Sequence, residues 1–226
     1  MLTTLLRARA AVAAALALAG GATALAPVDD ADAAVKRLRK VCIKSHYDMP
    51  VTQLKDNGAW AVICLTNEKR RAHGLLPLKE SRGLAATARS HADKAVALKW
   101  WSFENGAVSH DDPQIDDPND NRTPEDDSDV RIKRGGFCPS GAWAVAENTF
   151  ASAGTSTRTE PATGAHPPTP RGAVEWWYHS PYGHRDAMLN PKFKELGVGV
   201  ARGFAFPQDV GSAPAGTFVQ QYGSCG

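Results

Sequence analysis

Apolar residues recur with helical spacing in three stretches of the chain and with strand spacing in two. In the first stretch, Gly58 to Ala72, Trp60, Ile63 and Leu65 give way to polar residues, and His73 and Gly74 stand where a helix would close. This reads as a helix stopped by glycine. The second stretch has the clearer period: Ser81 offers an N-cap, and Leu84, Ala88, His91, Ala95 and Leu98 follow at spacings of four and three, which is one helical face. On that apolar face His91 reads as a core histidine with satisfied hydrogen bonds rather than as a ligand. The third stretch, Arg171 to His179, sets Val174 and Trp177 on one side before Ser180 and Pro181 break the helix. Towards the C-terminus, GVGVARGFAF alternates Val198 and Val200 with smaller residues, and GTFVQQYG sets Phe218 and Gln220 against Val219 and Gln221. Two neighbouring antiparallel strands are predicted there. Helices early, strands late and a helix between them describe an α+β fold rather than alternating βαβ units.

The remaining stretches read as irregular. Between Asp111 and Asp129 nine of nineteen residues are acidic, three are proline and only Arg122 is basic, which predicts a solvated acidic loop over 111–129. It lacks the glycine and ligand spacing of an EF-hand calcium loop. Residues 151–170, rich in Ser, Thr, Pro, Ala and Gly, read as a flexible insertion with His166 at the surface. At the N-terminus Arg7 and Arg9 precede the run AVAAALALAGG and then small residues, the layout of a secretory signal. We place the cut after Ala33, so the organisation read from sequence is a signal peptide over 1–33, an extension over 34–57 and one domain over 58–226. Within the extension the run KRLRK reads as a solvated arm.

The balance of charge changes this picture little but excludes some functions. Beyond residue 33 there are 24 basic and 21 acidic residues, too mild an excess to suggest a nucleic-acid partner. No segment after the signal approaches the ~18 consecutive apolar residues of a transmembrane anchor. Four cysteines, Cys42, Cys64, Cys138 and Cys225, form no CxxC pair, so an exported chain is expected to hold two disulfides rather than a zinc knuckle. Four cysteines allow three pairings, and spacing alone does not choose among them.

Several separated pieces then fall into one order: LTNEKRRAHGLLPL, Ser109-His110, Ala146-Glu147-Asn148 and WWYHSPYGHRDAMLNPKFKELGVGVA. Together they resemble the CAP superfamily, in particular its bacterial secreted, SCP-like members, over about Gly58 to Gly223. The resemblance implies a CAP-type α-β-α sandwich, a central antiparallel sheet between helical layers, with a large cleft on one side. It further implies that two histidines and two glutamates face each other across the cleft. Here His110 and His184 match the histidines and Glu147 the first glutamate, whereas the second glutamate of eukaryotic relatives is Ser180, as it often is in bacterial ones. The resemblance also suggests pairing Cys64 with Cys138, and Cys42 with Cys225. In the same blocks Asn67, Glu68 and Arg70 are expected to brace the first helix, and Trp177 to fill core space.

Two neutral imidazoles and a carboxylate supply nitrogen and oxygen donors suited to Zn2+ or another divalent cation, with water completing the shell. His110, Glu147 and His184 are therefore the candidate metal set, Glu147 is the candidate catalytic base, and Ser180 lines the cleft. Without metal the same groups could serve as acid and base, or tie the cleft loops together by charge-assisted hydrogen bonds. The reading that follows is a secreted protein whose cleft binds an extracellular ligand, with lipid and sterol among the ligands the resemblance implies. A metal-dependent extracellular hydrolase and a module contacting the cell wall or a partner protein are the alternatives.

Overall fold

The computed structural model describes residues 41–54, 57–113, 124–154 and 166–226. The predicted signal peptide, the arm at Lys36 to Lys40, residues 114–123 of the acidic stretch and residues 155–165 of the insertion lie outside them. Helix α1 spans Asn57–Ala72 and α2 spans Arg82–Leu98, with strand β1, Lys79–Glu80, between them. Helix α3, Pro124–Arg134, precedes β2, Trp143–Ala153; α4, Pro170–His179, and α5, His184–Leu189, lead to β3, Glu195–Arg202, and β4, Ala215–Cys225. All three predicted helices and both predicted strands are therefore present, and β3 pairs antiparallel with β4 from Glu195 opposite Gly223 to Arg202 opposite Gly216.

Four strands form one sheet in the order β1-β3-β4-β2, so β2 is an edge strand among the described residues. The sheet is mixed rather than wholly antiparallel, because the two-residue β1 runs parallel to β3. Alternation along β4 assigns the two faces. Phe218 and Tyr222 pack with Val62, Ile63 and Leu65 of α1 and Val174 and Trp177 of α4, whereas Val219 packs with Ala88, Ala92 and Ala95 of α2. Helices α1, α4 and α5 thus cover one face and α2, joined by α3, the other. This is the expected α-β-α sandwich.

The alternation of β3 has a steric reason. A Cβ built on Gly197 would lie 2.1 Å from the Leu84 carbonyl carbon, and one on Gly199 would lie 2.2 Å from the Ala88 carbonyl carbon. The glycines let the backbone of α2 sit directly on the sheet, while Val198 and Val200 point to the other face and join the core there. On the buried side of α2, Leu84, Ala88, His91 and Ala95 are all fully buried, but Leu98, predicted on the same face, is 51 % exposed. The helix ends beside it at Lys99, whose backbone turns left-handed, so the face stops one turn early. The predicted braces hold: Asn67 exchanges two hydrogen bonds with the backbone of Leu78, Arg70 donates to the carbonyls of Leu76, Met188 and Asn190, and Tyr47 donates to Glu68. Trp177 is buried and donates its indole N–H to the Thr149 carbonyl.

Three expectations are corrected. The acidic stretch is not loop throughout, since 124–129 lie in the first turns of α3, which Pro124 opens. Nor is 151–170 all insertion: Ala151–Ala153 finish β2, Pro170 opens α4, and His166 is buried against Phe150 with its carbonyl accepting from Ser152. The disulfides are two, as expected, but they join Cys42 to Cys64 and Cys138 to Cys225. The start of segment 41–54 lies on α1, with Trp60 donating to the Val41 carbonyl and Tyr47 to Glu68, and this brings Cys42 onto that helix. Strand β2 pairs with β4 so that Trp143 faces Cys225, which brings the loop carrying Cys138 beside the C-terminus.

Candidate functional site

Adjacent residues of edge strand β2 point to opposite faces of the sheet, and each holds one of the two histidines. Glu147 faces the α2 and α3 layer. There Nδ1 of His110, which follows the 3-10 turn Gly106–Ser109, lies 2.9 Å from Glu147 Oε1. Asn148 faces the other layer and donates to the backbone carbonyl of His184, the first residue of α5, at 3.1 Å. The two histidines are thus attached to the two faces of one strand, His110 by its ring and His184 by its backbone.

The Glu147 side chain is only 1 % exposed, and both of its oxygens are engaged. Arg131 of α3 straddles them with Nη2 at 2.8 Å from each, and Gln221 of β4 donates to Oε2 at 2.7 Å. Arg131 also donates to the His110 carbonyl at 3.2 Å, so one guanidinium fixes both the carboxylate and the loop bearing the histidine. Burial alone would raise the Glu147 pKa; Arg131, with His91 and His110 adding to it, reverses that and holds the carboxyl well below the usual carboxylate range. An ionised carboxylate only accepts hydrogen bonds, so neutral His110 must carry its proton on Nδ1 and turn the Nε2 lone pair outward.

His184 is held differently. Its Nδ1 lies 2.7 Å from Ser180 Oγ, and its ring packs tilted against Trp176 with centroids 4.8 Å apart. Burial, and secondarily His110, lowers its pKa to about 4, which keeps the ring neutral at physiological pH. Below the site His91 is fully buried, donates from Nε2 to the Ser109 carbonyl at 2.8 Å and lies 3.9 Å from Glu147. Desolvation lowers its pKa to about 4 as well, partly opposed by Glu147. This is the core role expected of it, although its Nδ1 has no hydrogen-bond partner among the described residues.

The structure therefore brings His110 to Glu147 and His184 to Ser180, but it does not aim the Glu147 oxygens outward as metal donors. Among the described residues no cluster of three or more His, Cys, Asp or Glu side chains is placed to hold a metal ion. Glu147 stands behind His110 as an orienting carboxylate. Sequence reasoning missed Arg131, Gln221 and the role of Asn148. Arg131 gives no local signal, but two adjacent glutamines in an apolar strand do, since a buried amide needs partners. Gln221 finds Thr87 and Glu147; Gln220 finds Thr66 and Tyr222. A separate cavity of about 500 Å³, between the C-terminal end of α2 and the β3–β4 connection, shares no residue with the site.

Among solved structures, the chain is similar to an extracellular protein containing an SCP domain from Bacillus anthracis, at 22% identity and a TM-score of 0.48 over 77% of this chain and 43% of that one. It is similar also to a cysteine-rich secretory protein from Staphylococcus aureus, at 18% identity and a TM-score of 0.44 over 76% and 40% of the two chains. A third similarity is to an outer surface protein from Borrelia burgdorferi, at 18% identity and a TM-score of 0.41 over 73% and 90%. The chain spans less than half the length of the first two. No curated protein matches it. The sequence profile of the cysteine-rich secretory protein family, CAP, matches residues 64–222, which take in β1 to β3, most of β4 and every residue of the site, and the chain belongs to that family.

Proposed function

We infer that the chain is an extracellular CAP-domain protein that binds a ligand in the cleft at the edge of β2, with His110 and His184 sharing one divalent ion or water molecule. The observation that supports binding over hydrolysis is the saturation of Glu147. Its lone pairs already accept from His110, Arg131 and Gln221, and its proton affinity is suppressed by Arg131, so it makes a poor general base. It serves instead to orient His110. A bound Zn2+ would be held by the two imidazoles and would supply a Lewis-acidic point for an extracellular ligand, such as a lipid or a cell-wall component. Export is supported by the signal-like residues 1–33 and by two disulfides, and no helix among the described residues is long and apolar enough to cross a membrane.

Calorimetric titration with zinc tests the shared ion. Wild type should bind one ion, and the His110→Ala, His184→Ala double variant none; equal affinity in the two proteins would exclude the site. Native mass spectrometry of protein taken from culture medium reads ligand and export together, since the exported chain should begin between Pro27 and Val35.

A further inference from the structure

The two histidines are held by unlike partners, and this difference specifies what they can recognise. Carboxylate Glu147 fixes His110 with its lone pair on Nε2. A hydroxyl both donates and accepts, so at His184 the choice depends on the other partner of Ser180. Counting hydrogen bonds gives the resting arrangement. Ser180 Oγ accepts from the Tyr182 N–H at 3.2 Å and meets His184 Nδ1 at 2.7 Å, its two partners among the described residues. Its own proton is satisfied if it goes to His184 Nδ1, which leaves the His184 proton on Nε2. Each ring is anchored through Nδ1, so each turns Nε2 away from its anchor: His110 presents a lone pair and His184 an N–H.

We propose that the metal-free cleft is a receptor for a neutral hydroxyl group, His110 accepting the hydroxyl proton and His184 donating to its oxygen, with Ser180 as the positioning residue that sets this tautomer. The proposal rests on the reading that both imidazoles serve one ligand. An alcohol matches a lone pair and an N–H at once. A carboxylate does not, since it has no proton to offer His110, and the guanidinium of Arg131 that would attract it already straddles Glu147. A divalent ion needs two lone pairs. His184 supplies the second by moving its proton to Nδ1 while the Ser180 hydroxyl rotates to accept it, so ion and alcohol compete for one place with no net proton released. The alcohol could belong to a lipid headgroup or to a wall sugar.

Long-range proton–nitrogen NMR of the imidazoles on chelator-treated protein at about pH 8, above the ordinary histidine pKa, reads the tautomers directly. The expected result is Nδ1–H for His110 and Nε2–H for His184, with His184 converting to Nδ1–H when zinc is added. Ser180→Asp should convert His184 without zinc and raise zinc affinity about tenfold or more. Ser180→Ala should leave His184 a mixture, with the His110 signals unchanged as the check on folding. Nε2 shifts on adding N-acetylglucosamine or a short-chain monoacylglycerol, but not acetate, would support the hydroxyl and identify its source. Nδ1–H at His184 in metal-free wild type, or a response to acetate equal to or greater than that to both alcohols, or to none of the three, would overturn the proposal. If zinc binds while His184 stays Nδ1–H throughout, the proposal fails and the shared-ion reading stands; the tautomers as described without zinc binding give the reverse.

Discussion

Replacing Arg131 by methionine should be among the most damaging single changes near the site, although Arg131 is not one of the groups proposed to meet a ligand. The substitution keeps the length and apolar bulk of the side chain but strands the Glu147 carboxylate, whose side chain is 1 % exposed. Unit charges about 4 Å apart attract by roughly 4 kcal/mol at an effective dielectric of 20, and breaking a buried pair by removing one partner typically costs about 3–5 kcal/mol. The remaining hydrogen bonds from His110 and Gln221 keep the loss near the lower end. The dependence on pH has a definite sign. In wild type the depressed Glu147 pKa contributes stability that is present above the unfolded carboxylate value and lost as pH falls towards the folded one. Without Arg131 burial loses its main opponent and the folded pKa rises, so the penalty is largest at neutral pH and shrinks on acidification. Urea unfolding of Arg131→Met at about pH 7.5 and pH 5 should therefore show a smaller difference from wild type at the lower pH. The double variant Arg131→Met, Glu147→Gln should recover part of the loss. A loss below about 1 kcal/mol at neutral pH, the scale of an exposed ion pair, would refute the view that Arg131 neutralises a buried charge.

Acid should weaken the fold through His91. Its folded pKa of about 4 lies below the unfolded value, so its contribution is complete above about pH 6.5 and is lost as pH falls towards 4, by roughly 3 kcal/mol in all; unfolding midpoints of His91→Gln should lack that part of the slope. Gly197→Ala should cost about 3 kcal/mol or more in thermal unfolding, because the new Cβ meets the backbone of α2 at 2.1 Å rather than a side chain able to move. Of the two bridges, the one closing 87 residues should stabilise more than the one closing 22, about 4–5 against about 3 kcal/mol in the chain-entropy model. Unfolding of the paired Cys→Ser variants checks the order, and a non-reducing peptide map showing Cys64 with Cys138 would remove its basis.

What the sequence made legible follows from how local each signal is. The face of α2 from Leu84 to Ala95, the valine–glycine alternation of β3 and the stop after Ala72 are written in residues a few positions apart. The site histidines were legible only through resemblance, since His110, Glu147 and His184 lie on three separate segments. Strand β2 was not legible. WAVAENTFASA carries Glu147 and Asn148 in its centre, where a strand read by apolar alternation should not have them, and these polar residues belong there because Arg131, Gln221 and Tyr222 meet them. Missing β2 also cost the disulfide pairing, because only the register of β2 on β4 brings Cys138 to Cys225.

That bridge has a consequence beyond the entropy of a closed loop. It sits beside the end of an eleven-pair ladder, from Trp143 opposite Cys225 to Ala153 opposite Ala215. Strand side chains alternate, so sliding β2 by a single residue would carry Glu147 to the face of Tyr222 and Asn148 to the face of Arg131, and both histidines would lose their holders together. A covalent tie beside one end of the ladder limits how far the two strands can slide. Cys138 and Cys225 thus tie together the two strands whose alignment keeps Glu147 and Asn148 on their correct sides.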